Sequence, residues 1–222
     1  MATYDSLHAA MQHTDEPTEV RKFLIYCIIN NKIDDAKQYV TEYVEKYRDD
    51  DKAMHELKKA LAGLPQEHAS EINFERVNEI NRYLLSIRCI SGDRDAIHEL
   101  GFLYEGIDGD EMRFHGINES NITTALTLYN FANTYSSCLE IIFICTNGND
   151  KNHYFDKMYP RKCIDNMIKT NLIKAMKLYN KPIDNPNYQD EFGYIFEYIP
   201  MGILKEVDTE YPELAKYVAK AK

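Results

Sequence analysis

Seven histidines and five cysteines are the residues of this 222-residue chain best suited to chemistry, and their spacing assembles none of the common sites. A zinc site needs thiols or imidazoles a helical turn apart, as in Cys-x-x-Cys or His-x-x-x-His, and neither pattern occurs. His8 and His13 are five apart, off a common helix face; Cys138 and Cys145, seven apart, suit a packed stripe better than a ligand pair. His55-Glu56 and His98-Glu99 begin the pattern of a zinc-hydrolase helix, but the second His never follows. Both read instead as partly exposed histidines.

Nucleophilic catalysis finds no better footing. There is no Gly-x-Ser-x-Gly elbow, and no cysteine has a nearby His with an orienting acid. Cys163 follows Arg161-Lys162, cations that would activate a thiol, yet sequence neighbours point to different faces of a helix. The carboxylate groups Asp34-Asp35, Asp49-Asp50-Asp51 and Asp108 with Asp110 stand at expected helix ends or in a loop, where capping and solvation are the natural roles. Asp108-Gly109-Asp110 opens like a calcium loop, but Phe114 and Gly116 occupy the places where further oxygens are required. No glycine-rich phosphate cradle is present. The expectation is a chain without metal or cofactor and without catalysis of its own.

Composition narrows the partners. With 26 Lys+Arg against 36 Asp+Glu the formal charge is −10, which opposes binding to phosphate backbones and to anionic membrane surfaces. The basic clusters Lys58-Lys59, Arg161-Lys162 and Lys216, Lys220, Lys222 are brief or interleaved with acids, so they read as solvated faces. Seventeen tyrosines fall mostly at inward helical positions. The opening residues lack a charged start and apolar run, and no stretch of 18 apolar residues occurs, so neither a signal peptide nor a membrane span is expected. An odd number of scattered cysteines suggests reduced thiols and a cytoplasmic setting, the host cytoplasm if the chain is viral. The sequons at Asn118 and Asn121 are then inert. Abundant Ile, Lys, Asn and Tyr have AT-rich codons, which points to a low-GC source.

Helical periodicity dominates the elements that must position these residues. Thr14-Asp15-Glu16-Pro17 opens a helix whose stripe is Val20, Phe23, Leu24, Cys27 and Ile28, closed by Asn30-Asn31. Further helices are predicted over 34–48, 51–61 with Gly63 and Pro65 as the stop, and 71–90 with Ile72, Val77, Ile80, Leu84 and Ile87 inward. The second half adds 94–105, 121–135, 137–145, 161–180, 188–198 and 212–221, with a long loop from Gly106 to Ser120 and turns at 147–150 and 181–186. The β-branched run Ile141 to Ile144 is compatible with a buried strand, though its context is helical. No composition shift divides the chain, which reads as a single all-helical domain over 1–222.

Internal repetition appears twice. Ala53-Met-His-Glu-Leu57 returns 43 residues later as Ala96-Ile-His-Glu-Leu100. Ala125-Leu-Thr-Leu-Tyr129-Asn130 returns 50 residues later as Ala175-Met-Lys-Leu-Tyr179-Asn180. Offsets of this size match two-helix units, in which small Ala admits a neighbouring helix and Leu and Tyr fill the gap. Asp95 to Tyr135 resembles a Sel1-like repeat, a relative of the tetratricopeptide repeat. The first-helix pattern of that family appears as Ala96, Leu100-Gly101, Tyr104 and Gly106, and the second-helix pattern as Thr124-Ala125, Leu128-Tyr129 and Ala132-Asn133. A looser copy spans Ser137 to Lys181; it keeps Lys174-Ala175 and Leu178-Tyr179 but lacks the Leu-Gly and Tyr of the first helix.

The resulting expectation is an all-α fold of stacked antiparallel helical hairpins, α-solenoid-like, with a repeat core at 95–181. The resemblance implies an adaptor or scaffold that holds a protein or peptide partner without chemistry. His98, Glu99 and Phe102, beside the repeat positions of a first helix, are the candidate partner-binding residues. Two other classes fit the same residues. One is a helical component of a virion or other large assembly, which would self-associate; the other is a helical enzyme whose site comes together only in space.

Overall fold

In the computed structural model the described residues are 17–48, 50–67, 74–106, 112, 115–147, 159–179, 194–196 and 198–212. Among them there is no strand, and ten helices follow one another: α1 Pro17–Ile29, α2 Ile33–Lys46, α3 Asp51–Glu67, α4 Phe74–Ile90, α5 Arg94–Glu105, α6 Ile122–Ala132, α7 Tyr135–Asn147, α8 Arg161–Leu178, the single turn α9 Tyr194–Phe196, and α10 Met201–Glu210. The fold is all-α. The described residues gather into two compact units, one bounded by Met1–Ala96 with Gly106–Glu119, the other by Ile97–Glu105 with Ser120–Lys222.

In the first unit the predicted stripe of α1 is buried throughout, with Val20, Phe23, Leu24, Cys27 and Ile28 at 1% exposure or less. Removing such side chains from water is what holds a helix of this length, since a 13-residue helix is marginal alone. Asn31 turns the chain at φ 57°, a left-handed conformation that Asn tolerates, and Lys32 N–H returns to Cys27 O at 2.8 Å. The α1–α2 hairpin then meets α3–α4, with α1 against α3 and α2 against α4. Arg76 of α4 donates to Ile28 O at 2.9 Å, satisfying a carbonyl that the end of α1 leaves open. Thr41 and Tyr83 hydroxyls meet at 2.9 Å and Lys37 pairs with Glu79, joining α2 to α4. Phe23, Tyr39, Tyr43 and Tyr47 form a run of ring contacts spaced 5.3, 5.9 and 4.7 Å.

Two expectations are corrected here. α3 does not stop at Leu61; it passes Gly63 and Pro65 to Glu67, forgoing the hydrogen bond that Pro65 cannot donate. α10 was not expected, because Gly202 interrupts its pattern, yet Pro200 starts it and Ile203, Leu204 and Val207 bury one face. Ile141 to Ile144 lie within helix α7, as their helical context predicts. Expected features at 1–16, 68–73, 107–111, 148–158, 180–193 and 213–222, including His8, His13, His68, His153, Ile72, Asp108, Asp110, the 181–186 turn and most of the 188–198 and 212–221 helices, lie outside the described residues, as does Asp49.

Within the second unit α8 lies along α7, α6 packs on α7, and α10 packs on α8. Asn121 caps α6 by accepting Thr124 N–H at 3.0 Å, and Asn133 ends it in a left-handed conformation at φ 48°. Thr134 and Ser137 then bond reciprocally, N–H to hydroxyl at 2.7 and 3.1 Å, so that only Asn133 and Thr134 separate α6 from α7. Lys169 of α8 holds Glu206 and Glu210 of α10 at 3.0 and 2.6 Å, and these acceptors, Glu210 foremost, raise the pKa of its ammonium.

Candidate functional site

α5 brings the three candidate residues together. Asp93 caps it, its Oδ1 accepting Asp95 and Ala96 N–H at 2.9 and 3.0 Å, while its Oδ2 takes the Arg88 guanidinium at 2.7 Å. His98, Glu99 and Phe102 follow one turn further on, all half-buried. Ala96, Ile97 and Leu103, between and beside them, are buried. Partial exposure leaves each of the three a surface to present, but His98 also faces inward.

Its ring lies 5.2 Å from that of Tyr129, which comes from α6. Tyr129 is fully buried and runs along α5, touching three positions on one helical face. His98 stacks on it, Gly101 lies under it, and Glu105 Oε2 accepts its hydroxyl at 2.8 Å. Residues at i, i+3 and i+7 share a face, so a single ring engages two turns of the helix. A Cβ on Gly101 would stand 2.7 and 2.8 Å from Tyr129 Cε1 and Cδ1, closer than carbon atoms approach. Gly101 is therefore required by packing rather than by backbone conformation.

A Gly101→Ala variant is accordingly expected to lose stability although alanine is the better helix former. The propensity gain of about 1 kcal/mol opposes an overpacking cost of about 1–3 kcal/mol, and the ring is pinned at both ends. A net loss of up to about 2 kcal/mol in urea unfolding checks this; a gain in stability contradicts it.

Burial pushes the Tyr129 hydroxyl pKa up, and the Glu105 carboxylate adds to the effect. Glu105 itself, at the end of α5, is raised by burial, with the Tyr129 hydrogen bond pulling the other way. Glu105 does not figure among the residues picked from sequence. The available signal was that Glu105 continues the face of His98 and Gly101, which ends on a carboxylate.

The remaining reactive types are scattered. Cys27, Cys138 and Cys145 are buried, Cys89 half-buried and Cys163 exposed, and none of the five is in a disulfide. Burial pushes the Cys27 and Cys145 thiols up to about 12, which disfavours the thiolate needed for attack. Asp50 caps α3 through Ala53 N–H at 3.0 Å, and Asp34 and Asp35 lie in the first turn of α2, the roles expected of them. His55 of α3 is exposed, whereas its counterpart His98 is half-buried. Among the described residues no group of three His, Cys, Asp or Glu could hold a metal ion, and no helix is long and apolar enough to cross a membrane.

No protein-family model, no curated protein and no solved structure matches the chain.

Proposed function

We propose that the chain is a non-catalytic adaptor or scaffold built from Sel1-like, tetratricopeptide-like helical hairpins, acting in the cytoplasm by holding a protein or peptide partner. The observation that carries this reading is the matched register of the second echo. Ala125 and Ala175 are both fully buried, Leu126 and Met176 are at 5% and 1%, Thr127 and Lys177 are exposed, and Tyr129 and Tyr179 are at 0% and 7%. At the first, second and fifth positions of the echo, two segments 50 residues apart turn the same side chains inward, while Leu128 is half-buried and Leu178 exposed; tandem units that bury their apolar faces on one another share such a register. The first echo keeps register less fully: Met54 and Ile97 are both buried, but Leu57 is at 1% while Leu100 is half-buried.

In this reading α5 is a first helix of a unit, fixed from behind by Tyr129, and Glu99, Phe102 and the open edge of His98 meet the partner. A rigid helix displaying side chains needs no cofactor, since recognition rests on shape and preorganisation. The test is capture from the source cell with the wild-type chain, a Glu99→Ala/Phe102→Ala variant, and a Thr127→Ala control on the exposed face of α6. Roughly tenfold lower recovery of the same partner with the double variant alone, at wild-type helicity, is the expected result; a loss of about 1–2 kcal/mol over the two residues together gives that factor. Equal recovery by all three overturns the assignment.

A further inference from the structure

α10 has little to hold it together as an isolated helix, and the proposed function makes no use of it. Ten residues are too few for a helix to persist alone, Gly202 weakens its first turn, and its last turn holds no basic residue. Asp208 and Glu210 lie in that last turn, where a negative charge opposes the helix dipole. Glu206 and Glu210 stand four apart, like charges on one helical face. Asp208 Oδ1 is buried with no hydrogen-bond partner among the described residues.

α8 opposes that tendency. Ile203, Leu204 and Val207 are buried in the same core cluster as Ile164, Ile168 and Leu172 of α8. Across this contact the Lys169 ammonium donates to Glu206 Oε2 at 3.0 Å and to Glu210 Oε1 at 2.6 Å, one cation serving both carboxylates. Two turns further along α8, the Lys177 ammonium lies 5.3 Å from the ring of Tyr211, the residue that closes α10. Among the described residues no other ion pair reaches the carboxylates of α10. The Glu206 and Glu210 side chains are 61% and 51% exposed, so dissolved ions have access to this clasp.

The chain just before α10 is anchored separately. Ile195, Phe196 and Ile199 are buried, and α9 meets α7. Pro200 is half-buried, Met201 is exposed, and a Cβ on Gly202 would have nothing within 4 Å. Three loosely surrounded residues thus join an anchored turn to a helix that depends on its neighbour's charge. We propose that α10 is a detachable latch: it swings off α8 as a unit about residues 200–202, is kept closed by the Lys169 ammonium, and on opening bares Ile203, Leu204, Val207 and their seat on α8.

Hydrogen exchange of the full chain reads the opening of residues 205–210 beside that of α7 and α8. In wild type α10 should open at least about tenfold more often than α8, and raising NaCl from about 0.05 to 0.5 M should increase that opening several-fold by screening the Lys169 pairs. Lys169→Met keeps the apolar stem and removes the charge. It should raise α10 opening roughly fivefold at low salt while α8 is unchanged. Its response to salt should also be lost or reversed, because only repulsion among the acids remains to be screened. Glu206→Gln/Glu210→Gln, a change confined to exposed side chains, should flatten the salt response from the other side of the clasp. Exchange of α10 only together with α8, or a wild-type salt response in either variant, overturns the proposal. Should Lys169→Met misfold, the wild type and the double variant decide.

Discussion

Replacing Tyr129 with alanine is expected to destabilise the second unit by about 3–5 kcal/mol, the largest effect of any single change among the described residues. It is a fully buried aromatic side chain, ranked first by volume among the fully buried residues. Two costs combine. The ring leaves a cavity between α5 and α6 lined by His98 and Gly101, which cannot collapse without moving a helix. The lost hydroxyl also takes from Glu105 Oε2 its bond, leaving a buried carboxyl with no donor to either oxygen among the described residues. Tyr129→Phe separates them, since it keeps the ring and removes the bond, and should cost about 1–3 kcal/mol. Combined with Glu105→Gln in a double-mutant cycle, its effect should be smaller than the sum of the singles, because both changes act on one interaction. Urea or thermal unfolding monitored by circular dichroism checks each value. A Tyr129→Ala variant within about 1 kcal/mol of wild type contradicts the packing described.

The second large effect is expected at Asp93, where one carboxylate performs two tasks. Oδ1 caps α5, and Oδ2 pairs with Arg88, whose side chain is 6% exposed against 20% for Asp93. Around it the turn is tied again: Ser91 Oγ donates to Arg88 O at 2.8 Å, and Arg48 donates to Ser91 O. Asp93→Ala removes the cap and takes the carboxylate from a guanidinium that is nearly out of water. Loss of a cap costs about 1 kcal/mol, and breaking a buried pair costs about 3–5 kcal/mol. Because Asp93 keeps some contact with solvent, about 2–4 kcal/mol is expected for the two together. Asp93→Asn retains an acceptor for the cap and removes only the charge, so it should fall between wild type and Asp93→Ala. Amide hydrogen exchange gives a local check: Asp95 and Ala96 should lose protection in Asp93→Ala and largely keep it in Asp93→Asn. Equal behaviour of the two variants contradicts the cap.

The fold was legible in sequence where burial and period coincide. The α1 stripe is apolar at helical spacing and buried at every position, and α5 has the bounds expected of it, with Gly106 opening the loop that follows. Where a helix contains its own breakers the reading failed. Gly63 and Pro65 suggested an end inside α3, and Gly202 hid α10, since local propensity is a weak prior against tertiary packing. The echo of Ala125 to Tyr129 at Ala175 to Tyr179 was visible as letters, and so was the expectation that α5 and α6 meet. The means by which they meet was not. Nothing in the order of residues says that Tyr129 extends from under His98 to Glu105, because that contact is created by two helices packing together. Arg88 was missed for a related reason: a cation in an otherwise apolar stripe reads as a surface residue until its partner one turn beyond is seen to neutralise it.

The central claim is that α5, held from behind by Tyr129, presents Glu99 and Phe102 to another polypeptide. Site-specific photo-cross-linking tests it most directly, with a benzophenone side chain placed at position 102 and, separately, at exposed position 127 of α6. A discrete adduct from position 102 whose mass identifies one polypeptide, with little or none from position 127, is the predicted result. No adduct from either position, or equal adducts from both, would contradict it.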